Sequence, residues 1–284
     1  VALRAVDSAG NVSTLDVQVN LTVGQAWPLP YNIDWTTVTD LRSVAQPVDG
    51  RWNVVGDTVR IVEPGYDRLL ALGDALWGTH EVVVPVTINA VDWASVGPNA
   101  GVGPGVGFLT HWSGHSTMDT TQPAWGFVDQ FGALAWYRYS GTNSGRFELR
   151  GQDAGLAAEN QSSRQLVAGT TYNFKLRAES NPGSGPRYRL RVWPVGTVEP
   201  TSWDIDTVMP LGAKDHGSLN LIAHHVDASF GAVRVTETPL ADPPTISPSS
   251  GSFPGLVKVS MTSPLSGGEI RYTTDGTTPT LTST

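Results

Sequence analysis

The groups in this chain best suited to chemistry are its ten tryptophans and a set of basic residues at alternate positions. An indole offers a broad apolar face with one N–H at its edge, a shape that suits the C–H faces of sugar rings. Trp112, Trp125, Trp136 and Trp193 fall on or beside central strands, and Tyr137 and Tyr139 flank Trp136. Most tryptophans in any β-sandwich are core plugs, so two or three of the central ones are expected to form a site and the others to pack. In residues 171–179, TYNFKLRAE, Tyr172, Phe174 and Leu176 share one face, while Asn173, Lys175, Arg177 and Glu179 share the other. In residues 187–193, RYRLRVW, Tyr188, Leu190 and Val192 form the core set, with Arg187, Arg189, Arg191 and Trp193 opposite. A hairpin through 181–186, NPGSGP, brings Lys175, Arg177, Arg189 and Arg191 into a basic ladder beside Trp193. Such a ladder suits a glycan, the cations donating to oxygens and the indole stacking. The same charges more often form a solvated outer face that discourages edge pairing.

Histidines and acids raise other chemistry. His111 and His115 flank Trp112 in HWSGH, and the Ser-Gly between them argues for a loop rather than a helix presenting both rings. Zinc wants three or four convergent ligands, and spacing alone does not bring these together, so no metal ligand is assigned. For His224 and His225 the expectation is one buried imidazole bonded to backbone or to Asp227. A glycosidase needs two carboxyl groups about 5–9.5 Å apart, and Glu81, Asp129, Glu148 and Glu179 are not paired by spacing. His111, Tyr137, Tyr139, Arg138 and Arg150 are candidates for an elimination reaction but carry no diagnostic phrase, so no catalytic residue is assigned. No cofactor is expected; calcium stays open only through carbonyl ligands, because no D-x-D-x-D loop occurs.

Those residues need a β scaffold to position them, and the composition supplies one. Hydrophobic residues are 39% and charged residues 15% of 284, and 31 Gly and 20 Pro punctuate short Val- and Thr-rich runs. That pattern predicts an all-β, antiparallel two-sheet sandwich. The chain has no cysteine, which excludes disulfides and thiolate chemistry. A net charge of −8 argues against a nucleic-acid partner, and no apolar run approaches the roughly 20 residues of a membrane span.

Residues 1–24 read as the terminal hairpin of a repeat, with Leu15, Val17, Val19 and Leu21 alternating; 25–30 is a linker, 31–239 the central domain, 240–248 a Pro-rich linker, and 249–284 a separate module. Strands are expected around 80–90, 107–112, 125–128, 133–139, 146–150, 171–179 and 188–193. The closing stretch GSLNLIAHHVDASFGAVRVTE, 217–237, forms two strands about a corner at His224, His225 and Asp227.

The phrases YDRLLALGDALWGTHEVVVPVTINA, ALAWYRY, YRLRVWPVGTVEP and LIAHHVDASFGAVRV resemble the concanavalin-A-like lectin/glucanase jelly rolls of secreted bacterial proteins. The A-x-D-x-A-G-N phrase in 1–24 resembles the end of an immunoglobulin-like or fibronectin-type repeat, and IRYTTDGTTPT, 270–280, resembles the chitobiase-type C-terminal domain. Both flanking modules read as partial, so the chain reads as a piece of a longer secreted protein. The resemblance implies first and last strands side by side, and a non-catalytic module that binds a polysaccharide or other glycan as a monomer at an aromatic-led groove. The residues expected to carry it are Trp112, Trp136, Trp193, His111, Arg138, Arg177 and Arg191. A glycoside hydrolase or polysaccharide lyase on the same scaffold, and a spacer without ligand, are the alternatives.

Overall fold

The computed structural model describes residues 27–96, 103–114, 131–141, 144–152, 155–160, 165–181, 183–237, 245–248, 251–263 and 270–277, and the backbone of two N-terminal strands. Those strands, β1 (Ala2–Val6) and β2 (Val12–Asp16), pair antiparallel. Sixteen strands follow in the central region. They are β3 (Tyr31–Ile33), β4 (Gln46–Asp49), β5 (Trp52–Val55), β6 (Thr58–Ile61), β7 (Arg68–Leu72), β8 (His80–Val91), β9 (Gly105–Trp112) and β10 (Ala133–Gly141), then β11 (Ser144–Arg150), β12 (Leu156–Asn160), β13 (Thr171–Glu179), β14 (Arg187–Pro194), β15 (Ile205–Val208), β16 (Ser218–His224), β17 (Val226–Phe230) and β18 (Val233–Thr236). A last antiparallel pair, β19 (Thr245–Ser247) and β20 (Ser260–Thr262), begins inside the stretch read as linker, because Thr245 to Ser247 pair with Thr262 to Ser260. The strand expected at 125–128, with Trp125, and the positions of His115 and Asp129 lie outside the described residues.

The central strands form an antiparallel two-sheet jelly-roll sandwich. One sheet has seven strands in the order β12-β11-β10-β9-β16-β7-β4; the other has nine, β15-β14-β13-β8-β17-β6-β5, with β18 beside β8 and β3 beside β18. The first and last strands therefore lie together, Val233 opposite Ile33 and Val235 opposite Tyr31, as the jelly-roll reading implies. Among the described residues there is no α-helix, and no helix is long and apolar enough to cross a membrane.

Period-two patterning builds the core. Along β8 buried and half-buried residues alternate, and Val82, Val84, Val86 and Ile88 have no exposed surface. They meet Phe108 on β9, Phe174 and Leu176 on β13, Leu190 and Val192 on β14, and Leu219 and Leu221 on β16 in one apolar cluster between the sheets. Strands β9 and β16 are buried at every position, so the middle of the seven-stranded sheet is covered on its outer face too, while β10 to β12 keep part-exposed residues there. A second cluster sits there: Leu69, Ala71, Leu109, Trp112, Phe131, Leu134, Trp136 and Ile222.

A register break in β9 decides which of its side chains reach which face. Leu109 stands opposite Asn220 and Trp112 opposite Ser218, so three steps on β9 match two on β16. His111 absorbs the extra residue with φ at +53°, a left-handed conformation that non-glycine residues adopt only when their surroundings hold them there. The bulge turns both Thr110 and His111 into the sandwich and returns Trp112 to the outer face.

Candidate functional site

The site is built on the outer face of the seven-stranded sheet. On β11, Arg146, Glu148 and Arg150 share this face while Phe147 and Leu149 enter the core. Cross-strand register sets Arg146 opposite Arg138, Glu148 opposite Trp136, and Arg150 opposite Leu134 on β10. Two arginines directly opposite would repel. Glu148, wholly buried, resolves this: its Oε1 accepts from Arg138 Nε at 2.7 Å and Arg146 Nε at 2.8 Å, and its Oε2 from Arg150 Nε at 3.1 Å and Trp136 Nε1 at 3.4 Å. Glu159 on β12 takes a second bond from Arg146, at 3.1 Å. Burial alone would push the Glu148 carboxyl up, but the hydrogen bond and charge of Arg138, joined by Arg150, outweigh it and hold the group below the usual range.

The next strand has no side chain at the two positions facing Trp136. A Cβ on Gly105 would stand 2.5 Å from Trp136 Cε3, and one on Gly107 2.6 Å from Trp136 Cα. The indole therefore lies across β9, with Glu148 at its N–H edge and the His224 ring edge-on at 5.9 Å between centroids. His224 Nδ1 meets Asp67 Oδ1 at 2.7 Å, both residues being buried. A carboxylate at that distance accepts from Nδ1–H, which leaves Nε2 as the acceptor nitrogen of the ring. Tyr66 packs edge-on against His224 at 4.9 Å. The backbone here is held in left-handed conformation at Asp67, φ +40°, and at His225, φ +52°. Asp227, the partner expected for this corner, instead binds Arg60 Nε at 2.9 Å and Asn89 Nδ2 at 3.0 Å, because it faces the outside of the other sheet.

Asn220 completes the face. It sits between Leu109 on β9 and Ala71 on β7, has no exposed surface, and neither end of its amide has a hydrogen-bond partner. An unpaired buried amide is costly, so Asn220→Leu is expected to stabilise the domain by about 1–3 kcal/mol. A thermal melt checks this; a lower melting temperature would show that the amide is held by bonds the fold needs.

The seven residues expected to bind glycan do not converge. Trp112, Trp136 and Arg138 share the outer face just described. Arg177, Arg191 and Trp193 lie on the outer face of the nine-stranded sheet, where the expected ladder does form: Lys175 stands opposite Arg191, and Arg177 opposite Arg189. Its charges are consumed internally. Arg177 bonds Glu81 at 2.6 Å, Arg189 bonds Glu179 at 2.6 Å, Lys175 bridges Glu81 and Glu199, and Arg191 pairs with Glu199 and donates to the Thr201 carbonyl. The Arg191 guanidinium also lies 4.1 Å from the Trp203 ring centroid, a stack the sequence reading missed. Of the central indoles expected to form a site, those among the described residues are buried: Trp112, Trp136 and Trp193 are 7%, 2% and 6% exposed. Sequence reasoning also left Glu148 isolated, although Arg-x-Glu-x-Arg at period two was the signal for one strand face.

His111 is interior, and the bulge is the reason. With both rings neutral, His80 Nδ1 and His111 Nε2 donate to the Gly78 carbonyl at 2.7 and 3.0 Å and Thr110 Oγ1 donates to His80 Nε2 at 3.2 Å, while the one Tyr188 hydroxyl proton is shared between the Lys214 carbonyl at 2.9 Å and His111 Nδ1 at 2.8 Å. Burial lowers His80 to about 4, and burial with the neighbouring His80 lowers His111 to about 3. A depressed imidazole contributes stability that is complete above its unfolded value of 6.5 and is lost as pH falls toward the folded value. Urea midpoints are thus expected to fall between about pH 6.5 and 4, and less steeply in His111→Asn, which tolerates the left-handed backbone. Equal slopes would remove His111 as a source. Tyr137 and Tyr139 are likewise core residues, so of the elimination candidates only Arg138 and Arg150 reach the outer face. Among the described residues no group of three or more His, Asp or Glu is arranged to hold a metal.

Residues 248–284 match the family described as chitobiase/beta-hexosaminidase C-terminal domain. No curated protein matches the chain. Among solved structures, the chain is similar to the alginate lyase Aly36B, with TM-score 0.49, 15% identity, and coverage of 76% of this chain and 100% of that one. It is also similar to the exoplasmic/lumenal domain of VIP36 in its Ca2+/Man3GlcNAc-bound form, with TM-score 0.46, 9% identity and coverage of 75% and 93%. The legume lectin-like domain from Entamoeba histolytica gives TM-score 0.45, 9% identity and coverage of 70% and 92%.

Proposed function

We propose that this chain binds polysaccharide at the outer face of its seven-stranded sheet and releases it unchanged, as a monomeric module of a secreted, multidomain bacterial protein. The observation that supports this is the guanidinium rim of Arg138, Arg146 and Arg150, whose side chains are 13%, 28% and 18% exposed around the buried Glu148. Rigid, preoriented N–H donors recognise hydroxyl and carboxylate oxygens at low entropic cost. Recognition on this face is led by the arginines, and Trp136 serves beneath them as a floor. The basic ladder on the nine-stranded sheet offers no comparable donors, since Lys175, Arg177, Arg189 and Arg191 are each bound to a carboxylate.

A second reading, an enzyme on the same face, is favoured by the His224–Asp67 pair with Tyr66 alongside, which has the form of an oriented base. Affinity electrophoresis against neutral and acidic polysaccharides, with reducing ends and unsaturated products followed on those that bind, tests both. Retardation without product is expected. Product formed by the wild type and lost in His224→Asn would replace the binding reading with the enzymatic one, and no retardation by any polysaccharide would remove both.

A further inference from the structure

We infer that Trp203 is a second glycan contact, on the outer face of the nine-stranded sheet, and that its ring stacks on a neutral, flat, β-1,4-linked chain of pyranoses. This site lies on the sheet opposite the arginine rim and stands independently of the role given to that rim.

Trp203 keeps part of its surface in solvent, unlike Trp112, Trp136 and Trp193. Its ring lies over the basic ladder, with the guanidinium carbons of Arg191, Arg189 and Arg177 at 4.1, 5.3 and 5.7 Å from the ring centroid. The three arginines rise from one sheet face, Arg177 opposite Arg189 and Arg191 two residues further along β14, so the covered side of the indole is the side toward the sheet. The Nε atoms of Arg189 and Arg191 are buried and have no hydrogen-bond acceptor, and an aromatic face overhead is an electron-rich surface that such groups can meet instead. The cations thus hold the ring flat over the ladder.

The segment carrying the ring is tied down on both sides of it. Glu199 binds Lys175 and Arg191, and the Thr201 carbonyl accepts from Arg191 at 3.0 Å. Asp204 accepts from the Val192 N–H at 2.8 Å and donates its own N–H to the Leu190 carbonyl at 2.9 Å. A platform fixed before ligand arrives loses little entropy on binding. Trp93 is the contrast: it is 38% exposed, but among the described residues no cation or ring packs against it. The chemistry around Trp203 also narrows the ligand. Arg177, Arg189 and Arg191 are each already paired with a carboxylate, so nothing beneath the ring calls for an ion. What the site offers is an apolar ring face, an indole N–H with no acceptor among the described residues, and the carboxylate of Glu199, whose side chain is 37% exposed. A pyranose with equatorial substituents presents its axial C–H bonds as a flat apolar face and its hydroxyls around the rim, which matches that set. A β-1,4 linkage keeps successive rings close to one plane, whereas an α-1,4 linkage turns them out of it.

The test uses the full chain and two soluble probes, cellohexaose and maltohexaose. Cellohexaose is expected to shift the indole N–H resonance of Trp203, assigned by its disappearance in Trp203→Phe, and to bind at least about tenfold more tightly than maltohexaose. Trp203→Ala should lose about tenfold in affinity for cellohexaose, Trp203→Tyr should keep most of it, and Trp93→Ala should change nothing. Thermal melts of each variant confirm folding, and the wild-type resonance together with Trp203→Tyr decides the matter if Trp203→Ala does not fold. A Trp203 signal that neither probe moves, equal binding of the two probes, or full affinity in Trp203→Ala overturns the inference. Loss of binding in Arg138→Gln with none in Trp203→Ala also overturns it and leaves the seven-stranded face as the glycan site. The reverse pattern upholds Trp203 and removes the arginine rim.

Discussion

Glu148→Ala is expected to lower the stability of the central domain by about 3–5 kcal/mol, the range for removing one partner of a buried ion pair. The carboxylate is wholly buried and accepts from three guanidiniums and an indole. Without it Arg138 and Arg146, directly opposite across β10 and β11, face each other with no intervening negative charge. Glu148→Gln keeps the shape and should recover little, since an amide offers one acceptor oxygen where the carboxylate offers two. Acid should mimic the substitution. The folded carboxyl is depressed, so its contribution is present above the ordinary value of 4.5 and is lost as pH falls through the folded value. Urea unfolding of wild type and variant at neutral pH and near pH 3 checks both statements: the gap should be large at the first and narrower at the second. A neutral-pH gap under about 1 kcal/mol would mean the cluster behaves as an exposed surface network.

The second large effect belongs to Trp136. Truncation to alanine should cost about 3–5 kcal/mol, as for other buried aromatic side chains. It should also loosen the arginines, because the indole lies across β9 and caps Glu148 through its N–H. Gly105→Ala separates the two roles. Its new Cβ would arrive 2.5 Å from Trp136 Cε3, so the ring must shift, at a cost of about 1–3 kcal/mol. If the indole supports the binding face, Gly105→Ala should weaken retardation on polysaccharide gels while the melt shows a folded domain. Unchanged retardation would make Trp136 a core plug and nothing more.

These effects fall on residues that the sequence made legible to different degrees. Strand alternation is local, and it placed the core sets of β8, β13, β14 and β16 correctly, along with the cross-strand ladder of Lys175, Arg177, Arg189 and Arg191. The meeting of the first and last strands was legible from the jelly-roll resemblance. Three things were not. Whether a cation is free depends on which acids lie across the sheet, and Glu81 reaches Lys175 and Arg177 from a strand about ninety residues earlier in the chain. Whether an indole is open depends on what covers a face, and period two identifies faces without saying which are wet. Asp67 as the side-chain partner of His224 is a contact between residues far apart in the chain, where the expectation was the backbone or the nearer Asp227. Arg146, Glu148 and Arg150 were within reach: the same counting that sorted β13 would have stacked them.

The extra residue in β9 works as a phase shifter. Counting from Gly105 gives the right parity up to Leu109 and the wrong one from His111 onward. Deleting His111 would restore an unbroken alternation with Trp112 still on the outer face, removing an interior imidazole and breaking the network at the Gly78 carbonyl. When this chain is aligned with relatives, a gap drawn at that spot amounts to a claim that the interior imidazole is missing, and the placement of a partner for Tyr188 decides whether the gap belongs there.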